Sequence, residues 1–462
     1  MKYDFTKGSI TKKLILFVLP ILLTLVLQQL YGAVDLWAVG KFADKTDSSA
    51  VSTGYQLISI FINLVAGFAM GTTIILSNKI GAKDTKDLGE VIGTSIFIFF
   101  LFSIVLTLGL GLNGIELANM IKAPTEAFYK TSQYISILGF GSIFLVGYNV
   151  LGGIFRGLGD SRTPLIAVVI ATVVNIGLDI LFVKGFSMGS SGAAIATIIA
   201  QAVSVIFSII VISRKNNGFE FHWKMINYSK KYTNRVLFLG APVGINAFLV
   251  GFSFTFMLGV ANTFGVNVSA GVGITERLVV FLFLIPLAFG SALATFVGQN
   301  VGANKHQRAK KGLSVSLKIS LCFALAMIAF SLLFGKQLIG IFTKDSEVII
   351  AGNEYLKAYC FDIFFTAFLF CYLGYLNGYG KTTFTMICGV TGAFAFRIPL
   401  TYAFSLITPT NLFLIGLATP IGTLVELIMI FFYYLHLKKE IKVAIDKQEK
   451  DHSLKNAGYE NI

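Results

Sequence analysis

Along the chain, apolar residues gather into long blocks separated by short polar breaks. Twelve blocks can be drawn, at about 14–38, 52–76, 90–112, 131–155, 163–183, 191–213, 236–260, 270–298, 312–334, 354–377, 383–404 and 412–435. Each has about the twenty residues that one helix needs to cross bilayer hydrocarbon. An open sheet would leave edge groups unpaired in lipid, and barrel strands are shorter and less apolar than these blocks. The pattern predicts an all-α integral membrane protein of twelve transmembrane helices. The connections are too short to hold a folded domain.

Composition agrees with that reading. The chain is 55% hydrophobic and 13% charged, and its mean hydropathy is +0.78. A soluble domain carries about 25% charged residues, so a soluble enzyme is excluded. The first block continues past the length of a signal-peptide core and shows no clear small-residue cleavage site, so it reads as a retained span. Cys322, Cys360, Cys371 and Cys388 lie in apolar blocks without metal-ligand spacing and read as small buried hydrophobes.

The net charge of +14 is explained by placement rather than by nucleic acid. The segments on the N-terminal side of the membrane are 1–13, 77–89, 156–162, 214–235, 299–311, 378–382 and 436–462, and they hold 26 of the 37 Lys and Arg residues. The opposite loops hold 8, and Arg277, Lys318 and Arg397 lie within spans. The excess predicts that both termini are cytoplasmic. The expected location is a prokaryotic plasma (inner) membrane, with membrane lipids as neighbours.

The two halves repeat. GAKD at 81–84 returns as GANK at 302–305, and GLGD at 157–160 returns as GYGK at 378–381, both 221 residues later. Phe68 and Phe289 keep that spacing, and Pro20 and Pro242 lie 222 apart. Six spans per copy leave both copies running the same way, related by a pseudo-twofold axis along the membrane normal. The predicted organisation is a six-helix lobe at 1–213, a cytoplasmic linker at 214–235 with a short interfacial helix as one option, a second lobe at 236–435 and a cytoplasmic tail at 436–462. Two lobes around a central cleft favour a transporter that rocks about a fixed site. Each chain holds both lobes, so a functional monomer is expected.

Polar residues inside the spans mark the candidate chemistry, because a carboxylate at membrane depth is costly. Asn175 and Asp179 lie four apart on one helix face. With Asp35 in the first span and Thr197 in the sixth they reach similar depth in the outer leaflet. Their oxygens suit Na⁺; alternatively two close carboxyls hold one proton. A static polar network, or Asp35 at the outer surface, is the bland alternative. The second lobe offers Glu276 and Arg277 in span eight, Asp362 in span ten and Arg397 in span eleven, as a neutral brace or as a second coupling or substrate site. Arg277 and Arg397 lean toward bracing or gating. Glu426 in span twelve has no evident partner. Pro20, Pro242, Pro286, Pro399 and Pro420 are expected to interrupt helices, as hinges or as static kinks.

Together these features resemble the multidrug and toxic compound extrusion (MATE) transporters. The likeness runs through nearly the whole chain, and RGLGDSRTPLIAVVIATVVNIGLDILFV at 156–183 carries it most. Asp35, Asn175, Asp179 and Thr197 match the first-lobe cation site of the DinF-like prokaryotic branch. Glu276 and Asp362 match acids that the NorM-like branch places in its second lobe. The resemblance implies an H⁺- or Na⁺-driven antiporter for amphipathic, often cationic compounds, with no cofactor beyond the coupling ion. A flippase for a lipid-linked precursor, favoured by Arg277 and Arg397, and a membrane interaction protein held by polar pairs remain as alternatives.

Overall fold

The computed structural model describes residues 4–214, 221–407 and 411–459, with side chains throughout except at 214 and 444–459. Its helices are α1 (Ile10–Phe42), α2 (Lys45–Gly81), α3 (Leu88–Leu106), α4 (Gly114–Met120), α5 (Phe128–Phe140), α6 (Ser142–Gly157), α7 (Arg162–Asp179) and α8 (Gly189–Arg214) in the first half. The second half holds α9 (Lys230–Asn262), α10 (Val266–Gly302), α11 (His306–Gly340), α12 (Ser346–Gly378), α13 (Thr382–Val390), α14 (Ile398–Ser405) and α15 (Leu412–Tyr459). Among the described residues, eleven helical stretches are long and apolar enough to cross a membrane, and a twelfth forms if α5 and α6 count as one bent span. The protein is a multi-pass membrane protein with the all-α architecture that the hydropathy blocks predict.

The breaks fall elsewhere than the prolines suggest. Pro20, Pro242, Pro286 and Pro420 all lie inside continuous helices, and Pro399 stands at the start of α14, directly after the π-turn that joins it to α13. The expectation that these prolines interrupt helices is therefore corrected. The fourth block is instead bent by 53° at Gly141, between α5 and α6. π-turns at Thr107–Gly111, Ile180–Gly185 and Thr391–Arg397 make three further irregularities. The last two prolong α7 and join α13 to α14. Gly159 at φ +77° and Gly380 at φ +75° give the two G-x-G turns the left-handed conformation that glycine adopts freely.

The linker contributes one 3₁₀ turn at Trp223–Met225; residues 215–220, where an interfacial helix is also allowed, lie outside the described residues. α15 continues from the last span into the tail as far as Tyr459.

The halves interlock at the face that carries residue 4 and the α2–α3 and α10–α11 connections, called here the basic face. The inner part of α1 (Leu14, Phe17, Val18, Ile21) packs in one apolar cluster with Phe289, Leu293 and Phe296 of α10. Reciprocally, Tyr232, Val236 and Leu239 of α9 join the cluster of α2, α3 and α6. Each lobe's first helix thus has its inner end seated on the other lobe. Between them α2 and α10 meet backbone to backbone. A Cβ on Gly81 would stand 1.8 Å from the Gln299 carbonyl oxygen, and one on Gly302 would stand 1.9 Å from that of Asn78. Only glycine permits that approach. Gly81 and Gly302 are repeat partners, so the contact is its own mirror image across the pseudo-twofold axis. Further from this face the arrangement loosens: Gly251 and Gly259 of α9 and Gly273 of α10 have open space where a Cβ would lie.

Candidate functional site

In the first lobe the structure brings together all four residues expected there. α1 and α7 carry Asp35 and Asp179, each 1% exposed, and Asn175 is fully buried one turn earlier on α7. Asp35 is therefore an interior group and not a surface one. Asn175 donates through Nδ2 to Asp35 Oδ1 at 3.3 Å, and Thr197 on α8 donates to Oδ2 at 3.0 Å. The Asp179 carboxyl faces that of Asp35. Among the described residues, no donor other than the facing Asp35 carboxyl reaches either Asp179 oxygen, and Asn175 Oδ1 is also unpartnered. Ionised carboxylates only accept hydrogen bonds, so two of them face to face need a proton or a cation between them. Among the described residues no Lys or Arg lies close enough to either acid to supply that charge. The π-turn Ile180–Gly185 begins at the next residue, and such turns often mark functional positions.

Two tyrosines complete this pocket, and neither stands out in the sequence among 17. Tyr134 on α5 is fully buried with its hydroxyl unpartnered; both acids and Tyr55 act on it electrostatically. Tyr55 on α2 is close to Asp35. Glycines make the room: a Cβ on Gly54 would sit 2.5 Å from the Tyr134 ring, and one on Gly32 would sit 3.2 Å from the Tyr55 ring.

The second lobe gathers a different set. Glu276 Oε1 on α10 accepts hydrogen bonds from Tyr355 at 2.9 Å and Tyr359 at 2.8 Å, both on α12. Arg397 is 3% exposed. It donates through Nη1 to Ser253 Oγ at 2.9 Å, and its guanidinium lies 4.5 Å from the Phe254 ring centre. Its charge reaches Glu276, Asp362 and Glu426, although no direct ion pair forms among the described residues. Asp362 Oδ2 accepts from Thr366 at 3.3 Å. Glu426 does have neighbours: it packs so closely on Gly392 that a Cβ there would meet its Oε1 at 2.5 Å, and Arg397 and Asp362 act on it. Arg277 is the exception among the expected residues. Its side chain is exposed because it occupies the helix position after Glu276 and therefore points away from the cluster.

Among the described residues no group of three or more His, Cys, Asp and Glu converges as a metal centre. The MatE family model matches the chain twice, over residues 20–181 and 242–403. The chain belongs to the MatE family. Members of this family are transporters and not enzymes. The chain is 23% identical over 446 residues to the probable multidrug resistance protein YoeA of Bacillus subtilis, covering 95% of this chain and 96% of that protein. It is 28% identical over 408 residues to the probable multidrug resistance protein YpnP of the same organism, covering 87% and 90%. Among solved structures it is similar to the outward-facing conformation of a multidrug resistance MATE family transporter, with TM-score 0.87 and 22% identity over 95% of this chain and 98% of that one.

The double match makes the two interior clusters comparable position by position, since corresponding ends of the matched stretches lie 222 residues apart. At that spacing Asp35 pairs with Met257, Asn175 with Arg397, Asp179 with Thr401 and Thr197 with Thr419. The geometry keeps the correspondence: Thr197 donates to Asp35 at 3.0 Å, and Thr419 donates to Met257 Sδ at 3.4 Å. Tyr134 and Tyr355 pair at 221, and both are buried. The two lobes of this chain therefore present one set of positions twice, and only the first set holds two aspartates.

Proposed function

We propose that this MatE-family chain is a cation-coupled multidrug exporter that works by alternating access, with Asp35 and Asp179 as the coupling carboxyls. The observation that carries this reading is a pair of fully buried acids facing each other without a base. Asn175 and Thr197 fix Asp35, while Asp179 keeps both oxygens free for an incoming ion. H⁺ and Na⁺ each fit the donor set of two carboxyls, an amide oxygen and a hydroxyl. Multidrug export is supported by the names of the relatives above, and amphipathic, often cationic compounds are the cargo that the family resemblance implies. The charge asymmetry supports a cytoplasmic basic face with both termini inside. On that orientation the interlocked basic face closes the cytoplasmic side, and the structure is outward-facing. The domain limits given above, with lobes at 1–213 and 236–435, belong to the same reading.

Ion loading removes the repulsion between the two acids and so changes which packing of α1, α7 and α8 is favoured. Coupling requires ion and drug to prefer different conformers. A cationic drug and the ion compete for one negative potential, which enforces exchange.

The test is efflux of a fluorescent organic cation from proteoliposomes under imposed Na⁺ or pH gradients. Asp35→Asn and Asp179→Asn are expected to lose gradient-driven flux while remaining folded in the membrane, whereas Glu276→Gln and Asp362→Asn retain it. Flux lost only in the latter two would move coupling to the second lobe.

A further inference from the structure

We propose that Asp87 and Arg308, which occupy matched positions in the two lobes, are the paired locks that hold the basic face closed. This inference rests on the alternating-access reading above and adds a role for two residues outside the ion site. The two lie 221 residues apart, each just after the repeated GAKD or GANK connection. Each grips the inner end of the helix that crosses over from the other lobe. They do so with different chemistry.

At Arg308 the captured element is the segment before α1. Phe5 is fully buried between Phe17 and Phe296, with ring centres 4.9 and 5.5 Å away. Its amide donates to Gln299 Oε1 at 2.9 Å. Arg308 donates through Nε to the Phe5 carbonyl at 2.7 Å, and through Nη2 to the Lys7 and Gly8 carbonyls at 2.8 Å each. Lys305 adds a bond to the Thr6 carbonyl at 2.9 Å. A planar guanidinium with several fixed donors suits three carbonyls in a way that an ammonium does not.

At Asp87 the captured element is the start of α9. Tyr232 donates its phenol to Asp87 Oδ2 at 2.5 Å, and Lys79 and Lys231 stand 3.4 and 3.6 Å from the same oxygen. The Tyr232 hydrogen bond, and after it the two lysines, hold the Asp87 carboxyl below its usual range, so it is ionised at neutral pH. Lys79 also pairs with Asp84 at 2.6 Å.

Both grips join pieces that belong to different lobes by chain connectivity. Opening at this face must either break them or bend α1 and α9 so that their inner ends stay behind. Either way the grips add to the energy gap between the two conformers. Between them lies the glycine contact of α2 with α10, where Ser77 is fully buried against Gly298.

The test places a cysteine at Ser77 in a background whose four native cysteines are replaced, and measures maleimide labelling from the basic face. Arg308→Ala is expected to raise the labelling rate about a hundredfold and Tyr232→Phe about tenfold, the loss of several bonds from a charged group and of one bond to a charged partner respectively. Arg308→Lys should fall between wild type and Arg308→Ala. Tyr232→Phe removes a single oxygen, so it carries the test if Arg308→Ala does not fold. Labelling within twofold of wild type in every folded variant would overturn the proposal. Parallel efflux measurements separate the two readings. Faster labelling in a protein that never exports leaves the locks standing and removes the exporter; unchanged labelling in a protein that exports removes the locks alone.

Discussion

The interior of the first lobe and that of the second offer the same backbone positions to different chemistry. In the first, Asp35 and Asp179 meet without a base. In the second, Met257 and Thr401 stand in their places, and Arg397 takes that of Asn175. The second lobe draws its acids from elsewhere: Glu276 on α10, Asp362 on α12 and Glu426 on α15, all within reach of Arg397. A built-in guanidinium supplies permanently the counter-charge that, on the proposed reading, the first lobe takes from a mobile ion. On the proposed reading, the first copy of the duplicated positions couples and the second braces. What separates them is whether the counter-charge is covalent.

The comparison can be broken by copying one site into the other. Asn175→Arg places the second lobe's guanidinium between the two aspartates. Efflux driven by an ion gradient is expected to fall to the level of empty vesicles, while size-exclusion elution stays monodisperse; near-normal flux would contradict the comparison. The reciprocal Arg397→Asn leaves three acids without their base. It is expected to cost on the order of 3 kcal/mol, the usual penalty for stripping a buried charge of its partner, read as a lowered unfolding midpoint in detergent. Thr197→Val removes one bond that stabilises the unloaded Asp35 carboxylate and should therefore tighten proton binding about tenfold, since a hydrogen bond to a charged group contributes about 1.5 kcal/mol or more. That shows as a lower proton concentration for half-maximal flux. Tyr355→Phe removes one of two phenol donors from Glu276, with an expected loss of about 1 kcal/mol and efflux unchanged.

Much of this was legible in the sequence for identifiable reasons. Spans announce themselves because lipid demands uninterrupted apolar length. The pairing of Asn175 with Asp179 follows from helical period, and Asp35 and Thr197 join them once helix direction gives their depth. The bend at Gly141 was not legible: the break occurs at a lone glycine, whereas the prolines that suggest breaks are absorbed into continuous helices. The correspondence between the two interior sites was hidden by a shift of one residue. The repeat spacing is 221 at Gly159 and Gly380 and 222 at Asn175 and Arg397, and the π-turn Thr391–Arg397 lies between the second members of those pairs. A π-turn accommodates one extra residue per turn, which accounts for the change. Tyr134 carried a signal that went unread: its repeat partner Tyr355 is also a tyrosine.

On the proposed reading, the mobile counter-charge binds between Asp35 and Asp179. Equilibrium binding to purified protein tests it most directly, with ²²Na⁺ uptake and H⁺ uptake recorded on the same samples of wild type, Asp179→Asn and Asp362→Asn. Wild type and Asp362→Asn are expected to bind one saturable ion per chain, of whichever kind drives flux, and Asp179→Asn none. Undiminished binding in Asp179→Asn, with loss in Asp362→Asn, would contradict it.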